Sequence, residues 1–142
     1  MRFHIISLFS ETLKPYLDDS ILGRAQEKKL ISVKYYSPRD FTKDKWARVD
    51  RRPYGGGPGM VLEAEPYIKA AEKILKKALP KAALGIPKAA FGKHNRTKTV
   101  FFATDGKQFT NTMAQKWAKK YDDIIFLCGR YEGIDARAAK IL

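Results

Sequence analysis

Apolar positions along the chain fall into two periods. Residues 124–128, Ile124-Ile125-Phe126-Leu127-Cys128, form an unbroken apolar run rich in β-branched and aromatic types, which predicts a strand covered on both faces. Residues 3–9 are mostly apolar and predict a second central strand. Leu30, Ile31, Val33 and Tyr35 predict a third over residues 30–36, ended by Pro38, and Val100-Phe101-Phe102 centre a fourth over 99–103. Helical spacing is clearest over 66–79. There Tyr67, Ile68, Ala71, Ile74, Leu75, Ala78 and Leu79 make one stripe, and Lys69, Lys73, Lys76 and Lys77 take the other face. Pro66 suits the first turn and Pro80 the stop. Phe109, Met113 and Trp117, with Tyr121 next in register, mark a later helix. Ser10 and Glu11 predict the cap and first-turn acid of a short helix reaching about residue 18. Ser20 predicts the cap of another, with Ile21, Leu22 and Ala25 on one face.

The C-terminal half therefore reads strand, loop, helix, strand, loop, helix, a βαβ pattern with a parallel sheet. Two strand-end loops, 103–106 and 129–133, are expected side by side on one rim. Gly129 and Gly133 bracket a cation, a ring and an acid (Arg130, Tyr131, Glu132), and Asp135 stands where an acid favours a helix N-terminus. Ligands of open α/β sheets bind beyond the carboxyl ends of strands, so this loop is the first candidate site. The same pattern fits an ordinary strand-to-helix turn.

Residues 39–59 show neither period. Arg39, Lys43, Lys45, Arg48, Arg51 and Arg52 alternate there with Phe41, Trp46 and Tyr54, a mixture suited to phosphates and unstacked bases, or to a long loop pinned by its rings. The segment ends in Pro53-Tyr54-Gly55-Gly56-Gly57-Pro58-Gly59-Met60. Its glycines permit close approach of a ligand, or a hinge. No Gly-Lys-Ser/Thr follows, and Met60 stands at the third position of G-x-G-x-x-G, so neither phosphate-binding motif is present. Residues 81–97, rich in Ala, Lys, Gly and Pro, predict an exposed loop.

Composition narrows the partners. The 142 residues make one domain's worth, with no internal repeat. Lys and Arg number 28 against 15 Asp and Glu, for a net charge of +13, which favours a polyanionic partner such as nucleic acid over a merely soluble surface. Much of the excess is local: nine Lys or Arg and one acid, Glu72, lie between Lys69 and Lys98. Cys128 is the one cysteine, so no disulfide forms within the chain. That fits a reducing cytosol and a small buried hydrophobe. The first nine residues are too short and too soon polar for a signal peptide, and no apolar run approaches the roughly 18 residues of a membrane span. A soluble cytoplasmic protein is expected. His4 and His94 have no partner evident in sequence, and no metal is assigned. A small phosphatase or kinase ranks lower, because no Walker sequence, Cys-x5-Arg loop or His/Asp cluster occurs.

Several blocks carry a resemblance. Ile6-Ser7-Leu8-Phe9, Gly23-Arg24-Ala25, Pro38-Arg39-Asp40-Phe41-Thr42, Val49-Asp50, the run from Arg52 through Met60, and Cys128-Gly129-Arg130-Tyr131-Glu132-Gly133-Ile134-Asp135 resemble the bacterial tRNA (guanine-N1)-methyltransferases. These belong to the trefoil-knot superfamily dependent on S-adenosyl-L-methionine. The resemblance implies an α/β parallel-sheet knot fold, a homodimer with sites between subunits, and methyl transfer to N1 of the guanosine 3′-adjacent to the anticodon of tRNA. By position it implies cofactor contacts at Phe101, Phe102, Ala103, Thr104, Gly106, Gly129, Tyr131, Glu132 and Gly133. It implies contacts to the guanosine at Arg24, Asp50, Arg52, Tyr54, Gly55, Gly56, Gly57 and Gly59, and tRNA phosphates along the basic helix and loop.

There are departures from the family pattern. Ser10 stands where the family usually has Pro, and Arg51 where it has an acid. Ala103-Thr104-Asp105-Gly106 replaces Ser-Pro-Gln/Lys-Gly. The 80–97 loop is longer than usual. The chain reaches Leu142 before the family's third cofactor loop, its general base and its C-terminal tRNA-binding domain. Residues 1–142 are therefore expected to be an incomplete N-terminal cofactor-binding domain, truncated before the knot closes and inactive alone; detectable methyl transfer by the purified chain would overturn that. A non-catalytic basic RNA-binding module that kept the blocks is the alternative.

Overall fold

The computed structural model describes residues 1–78 and 96–142. The expected end of the 66–79 helix at Leu79 and Pro80, and nearly all of the predicted 81–97 loop, lie outside these residues.

Four strands form one parallel sheet in the order β2-β1-β6-β5: β1 (Arg2–Ser7), β2 (Ser32–Tyr36), β5 (Thr97–Phe101) and β6 (Asp123–Cys128). β1 and β6 are central, as their apolar runs predict, and Ile6, Ile125 and Leu127 are fully buried. Alternation puts Ile6, Ile125 and Leu127 on one face, where they pack with Val49, Leu62, Tyr67, Ala70, Ala71 and Ile74. Phe3 and Phe126 stack on the other face at 6.1 Å between ring centroids, and Phe102 stacks on Phe126 at 5.6 Å.

The first face is closed by α3 (Ala64–Ala78), which starts two residues before Pro66. Tyr67, Ala70, Ala71 and Ile74 form its buried stripe; Ala70 belongs to it although the predicted stripe omitted it. Between β5 and β6 runs α4 (Asn111–Lys120), the crossover that parallel pairing of consecutive strands requires. Thr110 caps it by accepting from the Met113 N–H at 3.2 Å, so Phe109 precedes the helix and reaches Trp117 from outside, at 5.2 Å between rings.

Elsewhere the chain departs from expectation. Ser10 does not cap a helix. Residues Ser10–Thr12 form a 3-10 turn before the short α1 (Lys14–Leu17). The cap of α2 (Ser20–Glu27) is Asp19, whose carboxyl accepts from the Ser20 N–H at 2.7 Å, because Ser20 itself is the first helical residue. Ile21 and Leu22 are exposed rather than turned inward. The 39–59 segment is less irregular than its lack of period suggests. It opens with a 3-10 turn, Pro38–Phe41, and reaches β3 (Asp50–Arg51), which pairs antiparallel with β4 (Val61–Leu62).

Candidate functional site on the sheet rim

Parallel register brings the two candidate loops together. Phe101 pairs with Leu127, so β5 and β6 end on the same rim and their following residues leave side by side. The loops enclose an open cavity of about 920 Å³, lined by residues 101–105, 128–134, Ala136 and Ala139. That size falls within the roughly 300–1,000 Å³ typical of small-molecule sites. Phe101, Phe102, Ala103, Thr104, Gly129, Tyr131, Glu132 and Gly133 all line it, while Gly106 sits just behind, its N–H closing the turn on the Ala103 carbonyl at 3.2 Å.

The second loop is built under strain. Tyr131 has φ +56°, a left-handed conformation that a ring-bearing residue adopts at a cost of about 1–2 kcal/mol. Its ring remains half-exposed. Gly133, at φ +100°, supplies the next turn where a side chain would be strained. Gly129 differs: a Cβ there would meet Gly133 Cα and Ile134 Cγ1 at 3.5 Å, ordinary contact, so the fold itself leaves room for a methyl group. Partial burial pushes the Cys128 thiol up to about 11, so at neutral pH it is a protonated wall of the cavity; it is partly exposed there rather than the buried hydrophobe expected.

The glycine-rich turn is attached to this loop. β4 forms a parallel bridge to residue 134: the Leu62 N–H donates to the Gly133 carbonyl at 2.9 Å, and the Asp135 N–H donates to the Leu62 carbonyl at 2.9 Å. The Glu132 N–H donates to the Met60 carbonyl at 3.0 Å. Gly59 lies under the Glu132 side chain, so closely that a Cβ would stand 2.6 Å from Oε1.

Beyond the loop begins α5 (Arg137–Ile141). Asp135 is buried, and its Oδ1 accepts from the Arg137 N–H at 2.9 Å, in keeping with the acid expected at this helix start. The Arg137 guanidinium binds both carboxyl oxygens, the closest contact being 2.6 Å, and donates to the Tyr54 hydroxyl while lying 5.2 Å from the Tyr54 ring centroid. Hydrogen bonds from the Arg137 side chain and backbone hold the Asp135 carboxyl down at about 2.

Not every predicted residue joins the cavity. Gly59 reaches its edge beneath Glu132, whereas Tyr54 lines a separate cavity of about 510 Å³ together with Arg51, Glu63 and Arg137. Gly55, Gly56 and Gly57 lie exposed in the turn between them, and Arg52 is exposed beside it. Asp50 lines a smaller cavity of about 220 Å³ with Asp44, Arg48, Arg51 and Glu63. Arg24 sits on α2, its Nε donating to the Ser20 carbonyl at 3.4 Å, away from the lining. Conversely, Asp105, Arg130, Ile134, Ala136 and Ala139 line the cavity without having been singled out as contacts. Ala136 and Ala139, three apart at a helix start, carried a usable signal, since small side chains at that spacing leave space over one face.

His4 gains the partners its sequence position did not reveal. Its ring nitrogens lie 2.9 Å from Asp123 Oδ1 and 3.3 Å from the Tyr36 hydroxyl. Asp123 also accepts two hydrogen bonds from Arg2, at 2.6 and 2.5 Å. Burial pushes the Asp123 carboxyl up, but hydrogen bonds from Arg2 and His4 outweigh it and leave the group below its ordinary value. This cluster sits at the start of β6, at the opposite end from the rim. Among the described residues, no helix is long and apolar enough to cross a membrane.

A parallel α/β sheet with a glycine-bracketed cavity beyond the carboxyl ends of adjacent strands has the arrangement in which open α/β sheets commonly bind ligands. The chain belongs to the tRNA (Guanine-1)-methyltransferase TrmD family, whose model matches residues 1–142. It is 38% identical over 142 residues to the tRNA (guanine-N(1)-)-methyltransferase of Carboxydothermus hydrogenoformans, covering 100% of this chain and 49% of that protein. It is 38% identical over 141 residues to that of Campylobacter jejuni, covering 99% and 53%. The crystal structure of tRNA (m1G37) methyltransferase from Aquifex aeolicus matches with a TM-score of 0.74 at 27% identity, over 100% of this chain and 56% of that one. The chain thus spans about half the length of the curated relatives it matches.

Proposed function

We propose that this chain forms the donor-binding portion of a cytoplasmic tRNA (guanine-N1)-methyltransferase, with the rim cavity holding S-adenosyl-L-methionine and the glycine-rich turn meeting the guanosine 3′-adjacent to the anticodon. The supporting observation is the single cavity shared by the loops after β5 and β6, with the turn of residues 52–60 bonded to its edge. The residues suit such a donor. Phe101, Phe102, Ile134, Ala103, Ala136 and Ala139 offer apolar surface, Gly129 and Gly133 offer backbone without side chains, and the Glu132 and Asp105 carboxyl groups give the lining negative charge suited to a sulfonium.

S-adenosyl-L-methionine supplies a methyl group already activated by its sulfonium. The protein's task is then to orient an acceptor nitrogen, exclude water and help remove a proton. In this reading Gly129, Gly133 and Phe102 position the donor, and Tyr54 with Gly55, Gly56, Gly57 and Gly59 positions the base. Arg24, Asp50, Arg52 and the basic face of α3 meet the RNA further out. A homodimer with a trefoil-knot topology belongs to the same proposal, resting on family membership.

Gly129→Val tests the donor site. A Cβ at 129 makes only ordinary contacts, with Gly133 and Ile134, both of which line the cavity, so the bulkier valine crowds that wall. Carried in a full-length protein, the variant is expected to keep its fold by circular dichroism and to lose S-adenosyl-L-methionine binding by calorimetry. Unchanged affinity refutes the placement.

A further inference from the structure

Two elements 83 residues apart meet at one side chain, Arg137. On one side its backbone N–H and its guanidinium engage Asp135, which is buried at the end of the 129–135 loop. On the other its guanidinium binds the Tyr54 hydroxyl and lies against the Tyr54 ring. Tyr54 is otherwise 82% exposed, so Arg137, with the Asp135 carboxyl beside it, supplies the contacts that orient it. It immediately precedes the glycine run, where Gly56, Gly57 and Gly59 all have positive φ and a Cβ at 55, 56 or 57 would touch nothing. A turn this loose has little means of holding its own shape. Its far end is tied down, through the Met60 carbonyl to the Glu132 N–H and through β4 to residues 133 and 135. Its near end has Tyr54.

We propose that Arg137 is a positioning residue: anchored by Asp135, it clasps Tyr54 and holds the near end of the glycine-rich turn onto the start of α5. Both ends of the turn are then fixed to one continuous segment, one at Glu132 in the rim loop and one at Arg137 where α5 begins. The spacing between the glycine-rich turn and residues 132–137 becomes a property of this clasp. Geometry favours arginine, whose planar fork can bind a carboxyl and a hydroxyl together and still stack on a ring, which a single ammonium cannot do. The clasp goes beyond the methyl-transfer reading, because it depends on the two loops and not on what they hold.

Amide exchange followed by NMR on the 142-residue chain, without ligand, tests the clasp. The reporters are the Gly56 N–H, bonded to the Pro53 carbonyl at 3.0 Å, and the Glu132 N–H, bonded to Met60. The Ile6 and Ile125 amides, on central strands, serve as controls. In Arg137→Ala, exchange at Gly56 and Glu132 is expected to rise roughly tenfold while the controls stay within about twofold. Arg137→Lys is not expected to restore protection. Tyr54→Ala, at an exposed position that cannot disturb the core, is expected to reproduce the Arg137→Ala pattern. Tyr54→Phe, which keeps the ring but loses the hydroxyl, is expected to fall between. Unchanged reporter exchange in Tyr54→Ala, rescue by lysine, or a uniform rise at reporters and controls alike each overturns the clasp. Because no donor is present, none of these results bears on the donor assignment.

Discussion

Gly59 shows how much one position can carry. Its φ of +95° strains any side chain, and its missing Cβ is the space the Glu132 carboxyl occupies. Gly59→Ala is therefore expected to be destabilising by about 1–3 kcal/mol, read from chemical denaturation, and to displace Glu132, seen as shifts at the 131–133 amides. Gly129→Ala, at a site with only ordinary contacts, is expected to leave the melting temperature nearly unchanged, which separates a glycine the fold requires from one whose neighbouring space is the cavity.

Asp135 is a residue with a pH signature. Its carboxyl titrates at about 2 in the folded chain and near 3.9 when unfolded, so the ionised form stabilises the fold fully above the unfolded value. That contribution is lost as pH falls through about 2. Asp135→Asn lacks it, and is expected to melt below the parent at pH 7 with a gap that narrows between about pH 4 and pH 2. Asp123, also held below its ordinary value, adds acid sensitivity to both proteins alike and leaves the difference readable.

Among the elements, α3 joins the two halves of the molecule. Its buried stripe packs on β1 and β6, and the Tyr67 hydroxyl donates to the Cys128 carbonyl at 3.2 Å, at the point where β6 turns into the rim loop. Ile74, 1% exposed, is the largest fully buried aliphatic side chain described on this helix. Ile74→Ala is expected to cost about 2–5 kcal/mol by chemical denaturation, the range for emptying a filled core site. Periodicity exposed this helix because its stripe is continuous and its opposite face is lysine. The same signal misled at α2, where Ile21 and Leu22 share a helix but no described element covers them. The rule that apolar spacing marks an inward face holds only where a partner surface exists.

For the molecule as a whole, charge is the property most open to test. With +13 on 142 residues, binding of a tRNA anticodon arm is expected to weaken steeply as salt is raised from roughly 50 to 200 mM, log affinity falling linearly with log salt. A flat dependence removes phosphate contacts from the proposal. The blocks that mark the family were legible because each is contiguous, and the neighbouring loops followed once two strands were read as parallel and adjacent. The Arg137–Tyr54 contact, the Glu132–Gly59 contact and the His4–Asp123 pair were not legible, since each joins residues between 73 and 119 positions apart with no periodic signature.

By itself, the order of apolar runs, glycines and charges determined the four strands of the parallel sheet, their crossover, the neighbouring strand-end loops and the family, because those depend on local periodicity and contiguous motifs, whereas the short β3–β4 pair left no such trace. Only the tertiary structure decided which side chains complete the rim, that the glycine-rich turn is bonded to the loop after β6, and that one arginine spans the two. Contacts of that kind are set by where packing brings distant backbone together, and no pattern along the chain encodes a distance across it.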